Sequence, residues 1–254
     1  MQSKAQASIV SSILVSIWVS LACATFQSTP EPAATATASP TATPTPRPSS
    51  TPRPTRTPDL AATQHAEELI AEVQAYFDSG YLTTMDGALV QLEDFHYDWA
   101  YLGGYKPLVI IGSAGDFFMS AHFKWDSASE NADVSGCGFI FGMQPNDDHY
   151  AVFLDRTKVD FRVRNEQLGY STRVKLLRGT GQVRFNYPAE ADFTLIVKGA
   201  YAYVLVNGEV VGEYALPQST GVRGDLGLTV LSGTNKGYGT RCERTDLHLW
   251  IPNE

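Results

Sequence analysis

Adjacent acidic residues are the first candidates for chemistry in this sequence. They occur as Glu93-Asp94 and as Asp147-Asp148. Two carboxyl groups about 5–5.5 Å apart can cleave a glycosidic bond with retention of configuration. In an extended chain, however, neighbouring side chains point to opposite faces. Both pairs therefore favour turn or strand-edge positions, and the sequence assigns no catalytic residue.

The histidines and one acidic turn bear on metal binding. The histidines show no metal-ligand spacing, and Asn146-Asp147-Asp148 lacks the spaced ligand series of an EF-hand. No metal site is therefore predicted, although calcium held by this turn and distant residues stays open as an alternative. The Gly-x-Ser-x-Gly, His-Glu-x-x-His, Walker and dinucleotide-binding motifs do not occur.

A glycine-rich loop at residues 232–239 is a candidate ligand contact. It lacks the strand–helix context of a phosphate-binding loop. Asn235 and Lys236 suit the hydroxyl groups of a sugar, and Tyr238 suits the face of its ring. These three residues are predicted to bind a ligand; the alternative is a long connection before the last strand.

The last predicted strand, residues 245–251, carries a second set of candidates. If its leucines point inward, Asp246, His248 and Trp250 lie on one line on the outer face. An exposed Trp250 beside two hydrogen-bonding groups could stack on a sugar ring. The alternative is that the preceding helix or a loop covers Trp250.

Polar residues of other strands form a third set of candidates. They alternate with apolar residues, so they are expected on a solvated face, which they share if the strands pair. This face would recognise an anionic or polyhydroxylated ligand, and simple solvated surface is the alternative. The residues are His122, Lys124, Asp160, Arg162, Arg164, Arg173 and Lys175.

The N-terminal sequence is typical of an export signal. Residues 9–22 are apolar but too short and serine-rich for a membrane span, which needs about 20 apolar residues. The segment from Ser20 to Cys23 resembles a bacterial lipobox, with serine where leucine is usual. Residues 1–23 are therefore predicted to be a lipoprotein-type signal peptide, with lipid on Cys23 at the extracellular face of a membrane. Cleavage with release and an uncleaved anchor are the alternatives.

The other two cysteines are predicted to pair. With Cys23 lipidated, only Cys137 and Cys242 remain, and export would permit a disulfide between them. Two buried free thiols are the alternative. The chain has no Cys-x-x-Cys motif, which excludes a zinc ribbon or a thioredoxin-type site.

Composition separates a stalk from a domain. Nine of the 14 prolines lie in residues 28–58, a Thr/Pro-rich segment that cannot build a core. Residues 24–58 are predicted to be a disordered stalk whose polyproline II steps could reach on the order of 90 Å. Residues 59–254 carry 15 bases and 26 acids, and this acidity makes nucleic acid a poor partner.

The domain is predicted to consist of one helix followed by strands. Residues 59–80 carry apolar positions at helical spacing between Asp59, a capping residue, and Gly80. Residues 81–254 alternate with period two, and Asn207-Gly208 between apolar runs is a strong hairpin signal. About ten short strands predict an all-β antiparallel jelly-roll sandwich with one preceding amphipathic helix.

Three segment groups carry a family resemblance. In strand pattern and turns, the chain resembles the concanavalin A-like lectin/glucanase superfamily and is most similar to its laminin G-like and 3-keto-disaccharide hydrolase-type branches. The segments that carry the resemblance are 136–142 with 147–154, 193–199 with 203–210, and 224–228 with 239–250. The resemblance implies the fold and a face or rim that binds glycans. It implies catalysis weakly, because one fold hosts many functions and the paired acids of the glucanase branch are missing.

The sequence thus predicts a lectin-like domain that binds a carbohydrate or surface polymer without catalysis and needs no cofactor. A glycan-cleaving hydrolase and a structural or protein-interaction module of the envelope are the alternatives. The oligomeric state is left open.

Overall fold

A computed structural model describes residues 60–130, 134–165, 170–178, 183–217 and 223–253. The predicted signal peptide, lipidated Cys23 and stalk lie outside these residues. The described chain forms one helix followed by thirteen strands in two antiparallel sheets, so the predicted all-β sandwich with a preceding helix is confirmed.

The helix α1 spans Leu60–Asp78. It ends close to the predicted stop, where Gly80 adopts a φ of +77°, a left-handed conformation that glycine takes without strain. Leu69 and Val73 are buried, as the helical spacing predicts, whereas Ile70 is 57% exposed because it lies off the face that packs on the sheet. No helix in the described residues has the length and hydropathy to cross a membrane.

A seven-stranded sheet lies under the helix. Its strands are β1 (Gly87–Leu92), β2 (Phe95–Trp99), β4 (Phe117–Ser127), β9 (Ala189–Lys198), β10 (Tyr201–Val206), β11 (Glu209–Ala215) and β13 (Thr240–Pro252). Their order in the sheet is β1-β13-β4-β9-β10-β11, and β2 also pairs with β13.

A six-stranded sheet forms the other layer. Its strands are β3 (Tyr101–Ala114), β5 (Gly136–Met143), β6 (His149–Asp155), β7 (Lys158–Asn165), β8 (Tyr170–Arg178) and β12 (Gly224–Thr234). Their order in the sheet is β3-β12-β5-β6-β7-β8.

The core fills the space between the sheets with alternate residues of the paired strands. Phe139 of one sheet stacks on Phe193 of the other at 5.3 Å between ring centroids. The predicted hairpin joins β10 to β11, and Asn207 and Gly208 both have positive φ, as the tight turn requires. Alternation in the sequence therefore sets which side chains enter the core.

The predicted disulfide is confirmed. Cys137 on β5 bonds to Cys242 on β13, so one covalent link joins the two sheets. Both sulfurs are buried in the core. The bond closes a separation of 105 residues.

A second, smaller core lies between α1 and the outer face of the seven-stranded sheet. Val73 and Leu82 pack there on Phe118, Ile196 and Trp250. The ring of Tyr76 lies 5.1 Å from that of Phe118. The helix is thus part of the folded domain and covers one sheet face.

Candidate functional site

A cleft at one end of the sandwich is called the rim cleft. It encloses about 620 Å³. Four separate parts of the chain meet there: the end of β4, the β6–β7 turn, the segment before β9 and the loop before β13. It is lined by Asp126, Ser127, Ala128, Glu130, Arg156, Asn186, Tyr187, Pro188, Gly237 and Tyr238.

Tyr238 is held at one wall of the rim cleft. Its hydroxyl donates a 2.6 Å hydrogen bond to Asp126 Oδ2. The Arg241 guanidinium lies over its ring, 4.4 Å from the centroid. Arg241 is itself oriented by two hydrogen bonds of 3.0 and 3.1 Å to Asp98. Because of the bond to Asp126, the pKa of Tyr238 rises to about 12, so the phenol stays protonated.

Arg156 and Tyr187 form the other wall. Arg156 donates to the Glu130 carbonyl oxygen at 3.1 Å, and its guanidinium lies 5.5 Å from the centre of the Tyr187 ring. The Tyr187 hydroxyl donates to the Ser135 carbonyl oxygen. Burial raises the pKa of Tyr187, so this phenol is also neutral.

The rim cleft combines two kinds of binding group. Two tyrosine rings line it, each with an arginine over one face, and carboxylate, amide, hydroxyl and guanidinium groups surround them. Polyhydroxylated ligands need such a combination, because their hydroxyls both donate and accept while their C–H faces pack on rings. A smaller cleft continues from it, sharing Asp126 and Pro188 and adding Lys124 and Arg241.

Of the three predicted loop residues, Tyr238 lines the rim cleft. Asn235 and Lys236 are exposed on the same loop but are not among the lining residues. The loop turns back at Gly239, whose amide donates to the Lys236 carbonyl oxygen. It is a connection before the last strand and also supplies a side chain to the cleft.

Asp246, His248 and His122 meet in a second cleft, the helix cleft, of about 430 Å³ between α1 and the seven-stranded sheet. His122 Nδ1 donates to Asp192 Oδ1 at 2.8 Å. The cleft is lined by Leu69, Glu72, Tyr76, Ser120, Ala121, His122, Asp192, Thr194, Asn207, Gly208, Asp246 and His248.

Trp250 is not an exposed stacking platform. It is 3% exposed, because it packs with Val73, Leu82 and Phe118 beneath α1. The helix α1 covers Trp250, which agrees with the alternative stated for this residue in the sequence.

The predicted polar face is divided between the two sheets. His122 and Lys124 lie on β4 of the seven-stranded sheet, whereas Arg162 and Arg164 lie on β7 of the six-stranded sheet. The residues therefore do not share a face. Arg173 and Lys175 lie on β8, which pairs with β7, and their side chains lie outside the described part of the structure.

Arg162 is also not solvated surface. It is 8% exposed and lies 2.8 Å from Asp160, which is fully buried. Its guanidinium lies over the ring of Tyr105, whose hydroxyl is 2.8 Å from His149 Nε2. Burial holds the pKa of His149 below its usual range. Arg162 belongs to a buried polar network on the outer face of the six-stranded sheet.

The acidic turn before β6 is held by contacts of its own side chains. Asp147 Oδ2 forms a 2.8 Å ion pair with Arg164, and Asp148 accepts a hydrogen bond from Asn146. Within the described ranges, no group of three or more His, Cys, Asp and Glu side chains is arranged to hold a metal ion.

Several residues that line the two clefts carry no recognisable signal in the sequence. Asp126, Arg156 and Tyr187 of the rim cleft, and Glu72 and Asp192 of the helix cleft, stand in no motif. Each is an ordinary polar residue on a strand, in a connection between strands or on a helix face. The one local signal near them is Pro188, a residue type that favours turns.

No family model matches the chain, and no curated protein is similar to it in sequence. Similar solved structures include a carbohydrate-binding module from Bacillus subtilis, with a TM-score of 0.45 and 11% identity over 63% of this chain and 92% of that one. A Bacillus licheniformis β-glucanase has a TM-score of 0.42 and 13% identity over 56% and 69%. Sheep galectin-11 has a TM-score of 0.38 and 12% identity over 59% and 99%. At these values the similarities identify no ligand and no reaction for this chain.

Proposed function

We propose that the domain binds a carbohydrate or another polyhydroxylated surface polymer in the rim cleft, without cleaving it. One observation carries the proposal: Tyr238 is fixed between Asp126 and Arg241 at the wall of the rim cleft. A fixed ring with hydrogen-bonding groups around it binds a sugar at low entropic cost.

We also propose that the domain is displayed outside a bacterial membrane through lipid on Cys23. The support is the lipobox-like sequence and the Thr/Pro-rich segment that follows it. A stalk would carry the rim cleft away from the membrane towards a wall polymer. Cys23→Ser should move the protein from the membrane fraction to the soluble fraction. Unchanged fractionation, with no lipid on the N-terminal peptide by mass spectrometry, would reject lipidation.

A glycan-array screen of the full chain in detergent tests ligand binding, with and without calcium. Any hit is then measured by calorimetry with Tyr238→Ala. Losing one aromatic stacking contact and its bond to Asp126 should weaken binding about tenfold or more. Tyr201→Ala is the matched control, because it removes an exposed tyrosine outside the cleft.

The outcomes separate the alternatives. Saturable binding that Tyr238→Ala weakens and Tyr201→Ala does not supports the proposal. Cleavage products from a bound glycan would instead indicate a hydrolase. A blank array, or equal binding by both variants, would contradict the rim cleft as a glycan site and favour a structural or protein-binding module.

A further inference from the structure

The helix cleft is an acidic site that the proposed function does not use. Its floor is the outer face of the seven-stranded sheet, with Ser120, Asp192 and His248, and one wall is α1, with Glu72. It shares no lining residue with the rim cleft. An inference about it therefore does not depend on the proposed function.

The charge of the cleft is one-sided. Glu72, Asp192 and Asp246 line it, and none of the described lining residues is a lysine or an arginine. Asp192 is bonded to His122, and Glu72 accepts a 3.1 Å hydrogen bond from Tyr76. A carboxylate has about four lone-pair positions, so both retain capacity to accept further hydrogen bonds.

His248 gives a second, independent sign of a ligand. It is 4% exposed and lines the cleft, and its Nδ1 has no hydrogen-bond partner among the described residues. The ring of His65 lies 5.1 Å away. Burial and this neighbour hold the pKa of His248 below its usual range, so the imidazole is neutral at pH 7. Leaving a buried polar nitrogen unpaired costs about 1–3 kcal/mol, which a ligand hydroxyl would recover because it can both donate and accept.

The remaining lining groups suit hydroxyls. The hydroxyls of Ser120 and Thr194 lie 2.9 Å apart on neighbouring strands. The Asn207 side chain lines the same cleft and accepts a hydrogen bond from the Asp192 amide. The site thus offers an excess of acceptors, a negative charge and a few neutral polar groups.

We propose that the helix cleft binds a protonated primary amine carried by a hydroxylated ligand, such as an amino sugar with a free amine. The ammonium group donates to the carboxylates of Glu72 and Asp192, and ligand hydroxyls bond to His248 Nδ1 and Ser120. An ammonium group has three donors and no acceptor, which matches the acceptor-rich lining. Charge-assisted hydrogen bonds of this kind are about twice as strong as neutral ones.

Calorimetry of the full chain with glucosamine tests the proposal, with glucose and N-acetylglucosamine as probes that lack the charge. Glucosamine should bind saturably, and the two neutral sugars about tenfold or more weaker. Glu72→Gln keeps an acceptor for Tyr76 but removes the charge, and it should weaken glucosamine binding by a similar factor. Glu68→Gln is the matched control, since this exposed glutamate lies on α1 away from the cleft.

Three results would overturn the proposal: no saturable glucosamine binding, equal binding of N-acetylglucosamine, or equal loss in Glu68→Gln and Glu72→Gln. Circular dichroism of each variant establishes that it is folded. Tyr238→Ala distinguishes the two clefts, because it should leave glucosamine affinity unchanged. Loss of glucosamine binding in Tyr238→Ala, but not in Glu72→Gln, would move the amine site to the rim cleft and reject this one.

Discussion

The hydroxyl of Tyr238 donates a 2.6 Å hydrogen bond to Asp126 across 112 positions of sequence. The bond joins the loop before β13 to the end of β4, so it fixes the open end of the sandwich. Because ionised Tyr238 could no longer donate this bond, the bond raises the pKa of the phenol.

Asp126→Asn should lower the pKa of Tyr238 from about 12 towards the ordinary value of about 10. The charged acceptor is removed while the shape of the side chain is kept. Difference absorbance titration of wild type against Tyr238→Phe isolates this phenol from the other tyrosines. An unchanged midpoint in Asp126→Asn would show that this bond does not control the ionisation.

Buried His248 should make stability depend on pH. Its folded-state pKa is lowered, so below the unfolded value of about 6.5 the unfolded chain takes up a proton that the folded chain does not. The free energy of unfolding should therefore fall as the pH drops from about 6.5 to the folded-state pKa, by at most about 1.4 kcal/mol per unit for this group. His248→Asn should lose this contribution.

Other groups titrate in the same pH range. The test is therefore the difference in the free energy of unfolding between His248→Asn and wild type, measured by urea unfolding at several pH values. Burial lowers the pKa of His149, which adds a slope of the same sign. Burial raises the pKa of Glu72 and of Asp155, which act in the opposite direction. A constant difference across pH 5–7 would contradict the prediction.

The Cys137–Cys242 bond should supply a large part of the stability. In the chain-entropy model, a loop of about 100 residues is worth up to about 4–5 kcal/mol. Cys137→Ser with Cys242→Ser should lower the free energy of unfolding towards that amount, whereas Cys23→Ser should leave it unchanged. Thiol titration of the denatured, unreduced chain checks the bond directly, and free thiols at positions 137 and 242 would refute it.

Gly138 should tolerate no side chain. A Cβ there would lie 2.0 Å from the Val152 carbonyl oxygen, within the paired backbone of β5 and β6. Gly138→Ala should therefore cost about 1–3 kcal/mol or more. Gly112→Ala is the control, because its Cβ would meet Leu249 at 3.5 Å, an ordinary contact. Equal melting temperatures of the two variants would contradict this difference.

Trp250 should matter for stability and not for ligand binding. Its ring is buried between α1 and the seven-stranded sheet, so Trp250→Ala should cost about 3–5 kcal/mol. The folded fraction should keep the wild-type affinity for any rim-cleft ligand. A variant with normal stability and lost binding would restore Trp250 as a ligand contact.

The sequence by itself determined the local features of the fold. Period-two alternation places Phe139 and Phe193 in the core whichever strands they pair with, because side chains along a strand alternate between faces. The Asn207-Gly208 hairpin needs only residues that accept positive φ. The pairing of Cys137 with Cys242 followed from the number of cysteines and predicted export.

Only the tertiary structure decided which side chains share a site. Alternation does not tell which sheet a strand joins, so His122 and Arg162, expected on one face, lie on different sheets. The rim cleft joins Asp126, Arg156 and Tyr238, and the helix cleft joins Glu72 to Asp192, over separations that no local pattern encodes. Trp250 is covered because α1 packs on the outer sheet face, and that packing depends on long-range burial of apolar surface.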